Sequence, residues 1–171
     1  MTTILTATGI DAKMLSELGK QTFLESHGHS ASKKDITNYV KTKFAIAEFE
    51  RELKQTKNHY HILYHNETPI GYSKLVLNVT GKNIPNKTTT KLERLYVLQE
   101  YHHLKLGLEL FNYCVTFSKN HQQSGMWLYT WVENQKAISF YNKAGFKIVG
   151  SYDFKISDTH YNPNHQMLLT Y

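Results

Sequence analysis

Two short blocks of the chain combine residue types and spacings that suit chemistry. The first is residues 98–107, LQEYHHLKLG, between an apolar strand-like run at 89–98 and a long helical pattern at 103–122. A strand that enters a helix through a tight turn leaves the first N–H groups of the helix without backbone partners, which makes a site for an anion. His102, His103 and Lys105 add donors or positive charge at that mouth, and Gly107 lets a ligand approach the helix backbone. The second block is residues 131–146, WVENQKAISFYNKAGF. Asn134, Ile138 and Tyr141 stand at i, i+4 and i+7 and share one helix face. An amide at the start of a helix and a phenol two turns on can bind a polar ligand and offer it a proton. The same residues also suit plainer roles, Asn134 as an N-cap and Tyr141 as core.

These blocks need elements to hold them. Residues Met14, Leu15, Leu18, Thr22 and Phe23 recur at helical period after Asp11, and Gly28 closes that helix. Ser32 can cap a second helix, and a third covers 46–55. Residues 59–65 alternate like a strand, and 70–79 form a hairpin partner across a turn at 66–69. Residues 78–90, with Gly81, Pro85 and three Asn, form a loop. In the helix at 101–122, Leu104, Leu108, Phe111 and Val115 make an apolar stripe that Leu110, Cys114 and Phe117 widen. Residues 126–132 (MWLYTWV with its neighbours) predict a strand buried on both faces. A helix at 134–144 stops at Gly145, and strands at 146–156 and 165–170 close the chain. This order predicts an α/β protein with a mixed sheet, at least one parallel pair and right-handed crossovers.

Composition sets outer limits. The 171 residues suit a single domain, 1–171, with 40% apolar, 20% charged and 13% aromatic residues, which excludes disorder. No apolar run approaches the roughly 20 residues that span a bilayer, and the start has no basic region followed by an apolar block. A single cysteine, Cys114, fits a reducing compartment, so a cytoplasmic protein with no membrane partner is expected. The net charge of +6 favours anionic ligands, but the lysines are scattered. Only Arg51 and Arg94 are arginines, which argues against a nucleic-acid reader. None of the ten histidines falls in a metal-binding spacing, so no metal is expected and the histidines are read as exposed or hydrogen-bonded. Cys114 reads as a buried hydrophobe, and Trp127, Tyr129, Trp131 and Phe140 as core. The acidic run Glu48–Glu52 reads as a solvated helix face.

Taken together, LERLYVLQEYHHLKLG followed by EN, AI, FY and GF in the second block resembles the GNAT family of acetyl-CoA-dependent N-acetyltransferases. The resemblance spans about residues 70–156 and is nearest to the branch with bacterial polyamine acetyltransferases. The family's phosphate loop carries Gln or Arg, then Gly after two residues, then Gly or Ala after one more. Here those slots hold His102, Lys105 and Gly107, so only the last is kept. The resemblance implies a GNAT fold: a central twisted mixed sheet of about six to seven strands with helices on both faces. It implies acetyl-CoA as co-substrate and a primary amine as acceptor, a polyamine first or else a peptide or protein amine. Leu95, Tyr96 and Val97 would lie beside the pantetheine arm. His102 would stand in the loop, and the N–H groups of His103, Leu104, Lys105, Leu106, Gly107 and Leu108 would hold the pyrophosphate. Asn134 would bond the pantetheine, and Tyr141 would sit near the thioester sulfur as general acid. A homodimer is compatible with this family. The alternative on the same fold is a non-catalytic acyl-CoA sensor.

An amine that attacks a thioester forms a tetrahedral oxyanion, which the N–H of Val97 can stabilise. The departing thiolate needs a proton, and the Tyr141 phenol can supply one if transfer is concerted or the site lowers its pKa. The acceptor must lose a proton. Two-residue periodicity puts Glu93 on the face of Leu95 and Val97, where burial is expected to raise its pKa and suit it as a base. The competing expectation for Glu93 is a cross-strand ion pair with a lysine. Glu25, Glu48 and His27 are secondary candidates for binding a cationic acceptor.

Overall fold

The computed structural model describes residues 1–84 and 88–171. Of the expected loop at 78–90, residues 85–87 lie outside the described residues. The order of elements is β1 (Thr2–Thr6), α1 (Ala12–His27), α2 (Lys33–Lys43), α3 (Ile46–Leu53), β2 (Asn58–His65), β3 (Thr68–Val76), β4 (Thr90–Val97), α4 (Leu106–Asn120), β5 (Gly125–Trp131), α5 (Gln135–Lys143), β6 (Lys147–Lys155) and β7 (Tyr161–Thr170). Two short 3-10 segments precede α1 and α4. The seven strands form one sheet in the order β1-β2-β3-β4-β5-β7-β6. Among these pairs only β4 with β5 is parallel, joined by the α4 crossover.

Each boundary has a local cause. Ser32 caps α2 by accepting the Asp35 N–H at 3.1 Å. Asn66 and Glu67 both take positive φ, 47° and 65°, as a two-residue hairpin turn requires. β3 therefore starts at Thr68, ahead of the expected start at 70. Asn78, with φ 58°, ends the extended run after β3. The edge strand β1 (TTILT) was not expected: it is short, polar and half-exposed, and only its pairing with β2 defines it.

The sheet is covered on both faces. On one side α1, α2 and α3 bury Leu15, Phe23, Ile36, Phe44 and Phe49 against Tyr60, Ile62 and Tyr72 of the sheet. On the other, α4 and α5 cover Leu75, Leu92, Met126, Leu128 and Met167, with Phe111 and Cys114 as the α4 contribution. Cys114 is fully buried and its thiol pKa is pushed up to about 12 by loss of solvent. Trp127 and Trp131 are buried as expected. Of the expected alternatives, exposed or hydrogen-bonded, His61 takes the second: it is wholly buried with its Nδ1 3.4 Å from Ser73 Oγ, and burial lowers its pKa to about 4.

Candidate active site

The site begins where the sheet opens. β4 and β5 pair only at Thr90–Met126 and Lys91–Trp127, and beyond Lys91 the two strands part. On its other edge β4 stays bonded to β3, and the N–H of Leu98 donates to the Ile70 carbonyl at 2.8 Å. In an antiparallel pair backbone groups alternate in direction. The N–H and C=O of Leu95 and Val97 therefore turn away from β3 into the gap, while those of Tyr96 turn toward Tyr72. Of the three residues expected beside a pantetheine arm, Leu95 and Val97 offer backbone groups and Tyr96 offers only its ring. The Val97 carbonyl already accepts from His102 Nε2 at 2.9 Å. Its N–H remains for a ligand.

The turn after β4 is a 3-10 segment, Gln99–Leu104, and Lys105 joins it to α4. Lys105 has φ 58° and ψ 19°, the left-handed conformation. This is the slot where the resembling family carries glycine, and the conformation supplies the physical reason: a side chain there costs roughly 1–2 kcal/mol. The Lys105 N–H donates to the His102 carbonyl at 3.2 Å and the Leu108 N–H to the Lys105 carbonyl at 3.1 Å. His103 and Leu104 lie within the 3-10 segment, whose N–H groups bond three residues back, so the expected donor run is narrowed to Leu106 and Gly107. Leu106 and Gly107, first residues of α4, have no carbonyl one turn back within the helix. The Leu106 side chain is buried, so Leu106 can meet a ligand only through its backbone. A Cβ on Gly107 would meet nothing nearer than Val97 Cγ2 at 3.8 Å. The protein itself does not require glycine there; an approaching ligand would. Open N–H groups, an uncrowded glycine and an unpaired strand edge fit a nucleotide-tailed thioester.

On α5, Asn134 caps the helix, with Oδ1 accepting the Ala137 N–H at 3.1 Å. The cap consumes the carbonyl oxygen and leaves the amide nitrogen for a ligand. Tyr141 packs edge-on to Phe140 and Phe146, each at 5.3 Å between centroids. Burial holds its phenol pKa well above the ordinary value. The apolar surroundings raise the pKa, the opposite of the lowering that would ease proton release. Asn134 and Tyr141 line one cavity of about 460 Å³ together with Leu95 and Tyr96. The same cavity continues past Glu93 and Arg94 to α1, α2 and α3, so it joins the two faces of the sheet through the gap. Val97, His102, His103 and the residues of the turn to Leu108 are not part of its lining.

Glu93 departs from expectation in two respects. Lys74 pairs with Arg94 and the next residue, Leu75, pairs with Leu92, so Glu93 is an extra residue in a β-bulge. The bulge breaks the two-residue alternation: Leu92 and Leu95 both face α4, and Glu93 joins Lys74 in an ion pair on the opposite side. Its pKa is also lowered, not raised. Burial pushes it up, but the charges of Lys74, Lys91 and Arg94 outweigh that. Glu93 is thus the cross-strand ion pair that was the competing expectation, and a carboxylate so stabilised is a weak base.

Lys74 also bonds Glu52 at 2.9 Å, and Glu52 accepts from the Tyr60 hydroxyl. Glu50 and Arg51 are exposed as expected of a solvated face, but Glu52 is buried, which corrects the expectation there. Glu48 is held by Arg51 through Nε at 3.0 Å and Nη2 at 2.5 Å. Arg94 lies over the rings of Phe44 and Phe49, at 4.9 and 5.4 Å. The network of Glu52, Lys74 and Arg94 was missed in the sequence, although Lys74 is the single charge in the apolar run IGYSKLVL. Of the secondary candidates, Glu25 accepts the Gln99 N–H at 2.8 Å, and so braces the turn after β4. His27 lines the cavity, its pKa lowered to about 4 by burial and then by His29, so it is neutral near pH 7. Among the described residues no cluster of three metal-ligating side chains occurs, and no helix is long and apolar enough to cross a membrane.

Known proteins share this architecture. The PaiA N-acetyltransferase of Thermoplasma acidophilum, solved in complex with coenzyme A, superposes with a TM-score of 0.80 at 21% identity, covering 100% of this chain and 99% of that one. An N-acetyltransferase of Staphylococcus aureus superposes with a TM-score of 0.70 at 19% identity, covering 99% and 97%. In sequence, a spermidine N(1)-acetyltransferase of Thermoplasma acidophilum is 27% identical over 142 residues, 81% of this chain and 83% of its own length. An uncharacterized N-acetyltransferase of Lactobacillus delbrueckii is 21% identical over 141 residues, 82% of each. Residues 22–146 match the model of the acetyltransferase (GNAT) family. The protein belongs to that family and is an N-acetyltransferase whose co-substrate is acetyl-CoA.

Proposed function

We propose that the protein transfers acetyl from acetyl-CoA to a primary amine by direct attack, with Tyr141 as the acid that protonates the departing sulfur. The observation that carries this is the cavity through the β4–β5 gap, with Leu95 and Tyr141 on its wall. A thioester entering from the α4 side and an amine from the α1–α3 side would meet there without a covalent enzyme intermediate. The amine nitrogen attacks the acetyl carbon, the C–N bond forms and the C–S bond breaks. The Val97 N–H bonds the oxyanion while it lasts. The phenol proton passes to the thiolate, the amine proton leaves to solvent, and solvent restores the phenol.

Glu93 is not the base in this account, since Lys74, Lys91 and Arg94 hold its pKa down. The attacking amine is the small neutral fraction of an ammonium whose pKa is about 10.4. Turnover therefore rises with pH toward 10, and the raised phenol pKa keeps Tyr141 protonated throughout that range. The spermidine acetyltransferase relative supports a polyamine as one acceptor to try. A thiol-release assay over a panel of amines tests the reading. Tyr141→Phe is expected to lower kcat about 100-fold and to leave acetyl-CoA affinity unchanged. Wild-type turnover in that variant would remove Tyr141 from the chemistry. Coenzyme binding without turnover on any amine would favour the sensor.

A further inference from the structure

The acceptor half of the cavity is walled by rings. Phe154 of β6 meets Tyr39 of α2 edge-on at 6.2 Å between centroids. Tyr39 stacks on Phe23 of α1 at 5.0 Å, and Phe23 stacks on His27 at 5.1 Å with 12° between planes. His27 then meets Trp131 of β5 at 6.0 Å and Tyr96 of β4 at 6.2 Å. Six rings from five elements thus form one continuous surface, and all six line the cavity. The chain of rings ends at Tyr96, next to Leu95 on the splayed strand, where the acetyl group is to be transferred.

The charges around the wall do not suit a polycation. Five cationic side chains and three carboxylates line the cavity. Each of the three carboxylates is already engaged: Glu48 by Arg51, Glu52 by Lys74, and Glu93 by Lys74 and Lys91. No lining carboxylate among the described residues is left for the second or third ammonium of a polyamine. A flat apolar body, by contrast, gains from stacking on such a wall and meets no charge penalty.

Resting on the transferase reading above, we propose that the acceptor is an arylalkylamine, a primary amine on a short chain attached to an aromatic ring, with no further positive charge. The ring lies against Tyr39 and Phe154, half-buried members of the wall, and the amine reaches past Tyr96 to the thioester.

Steady-state thiol release by the whole chain at saturating acetyl-CoA tests this, with 2-phenylethylamine, tryptamine and spermidine as acceptors. The expected result is a kcat/KM for the better arylalkylamine at least tenfold that for spermidine. Equal or greater kcat/KM for spermidine overturns the proposal and leaves the transferase reading intact. Coenzyme titration by calorimetry runs alongside; binding with no turnover on any of many amines overturns both. Two variants sharpen the result. Tyr39→Ala is expected to raise KM for 2-phenylethylamine at least fivefold with KM for acetyl-CoA unchanged; an unchanged amine KM contradicts the wall. Lys43→Glu, at an exposed lining position, is expected to raise kcat/KM for spermidine by a larger factor than that for 2-phenylethylamine. The reverse pattern contradicts the charge argument.

Discussion

Gly107 shows how one residue separates the demands of the fold from those of a ligand. No atom of the protein lies within 3.4 Å of a Cβ built there, and φ is not in the left-handed region. Alanine in a helix is favoured over glycine by up to about 1 kcal/mol. Gly107→Ala is therefore expected to hold or raise the melting temperature while weakening acetyl-CoA binding about tenfold or more, since about 1.4 kcal/mol of lost contact suffices. Unaltered affinity would show that the phosphates do not approach α4 at this position. The glycine was legible in the sequence as the one retained position of the loop. Lys105 was read there as added charge, whereas its left-handed backbone is its main structural property. A departure from glycine is visible in a sequence, but the sign of φ at that position is not.

At the scale of elements, β4 is held by an ion network that spans three of them. Lys74 on β3 bonds Glu52 on α3 and Glu93 in the β4 bulge, and its side chain is only 5% exposed. Removing it leaves Glu52, whose side chain is 10% exposed, without its cation and near the Glu93 carboxylate. Lys74→Ala is expected to cost about 3–5 kcal/mol of stability, measured by denaturant unfolding. Glu93→Gln, which leaves Lys74 with Glu52, is expected to cost under about 1 kcal/mol and to keep the kcat of the wild type. A large loss of kcat in Glu93→Gln, accompanied by loss of an acid limb from the pH profile, would restore Glu93 to the chemistry. The strands and helices that carry the site were legible because their apolar periods are long. The face of Glu93 was not, because a single inserted residue reverses every later parity and leaves no mark in composition. β1 was missed for a related reason: an edge strand of TTILT has half its surface in water and no apolar period to read.

For the whole molecule, burial of neutral imidazole sets the acid limit. His61, wholly buried with pKa about 4, and His27, also about 4, each bind a proton more readily in the unfolded chain, where the value is near 6.5. Because the folded pKa is the lower one, this contribution to stability is complete above pH 6.5 and is lost as pH falls toward 4. The loss is at most about 3 kcal/mol for His61. Melting temperature is expected to fall across that window, and His61→Leu, beside Tyr113 and Phe117, is expected to make the fall shallower. An identical slope in the variant would assign the acid limb elsewhere. Overall architecture was readable from element order, since a parallel pair needs a helical crossover. The aromatic acceptor wall was not, because its six rings come from segments as distant as residues 23 and 154, and Trp131, Tyr96 and His27 were read separately as core, pantetheine contact and acceptor contact.

The central claim is that a splayed β4 and the first turn of α4 together present open backbone donors to the coenzyme. Amide chemical shifts followed during an acetyl-CoA titration test it most directly. The largest changes are expected at Leu95, Val97, Leu106 and Gly107, with smaller ones at Tyr96 and Leu108, whose N–H groups are already paired. Saturable binding with those four amides unmoved, or with the changes centred on another part of the sheet, would contradict it.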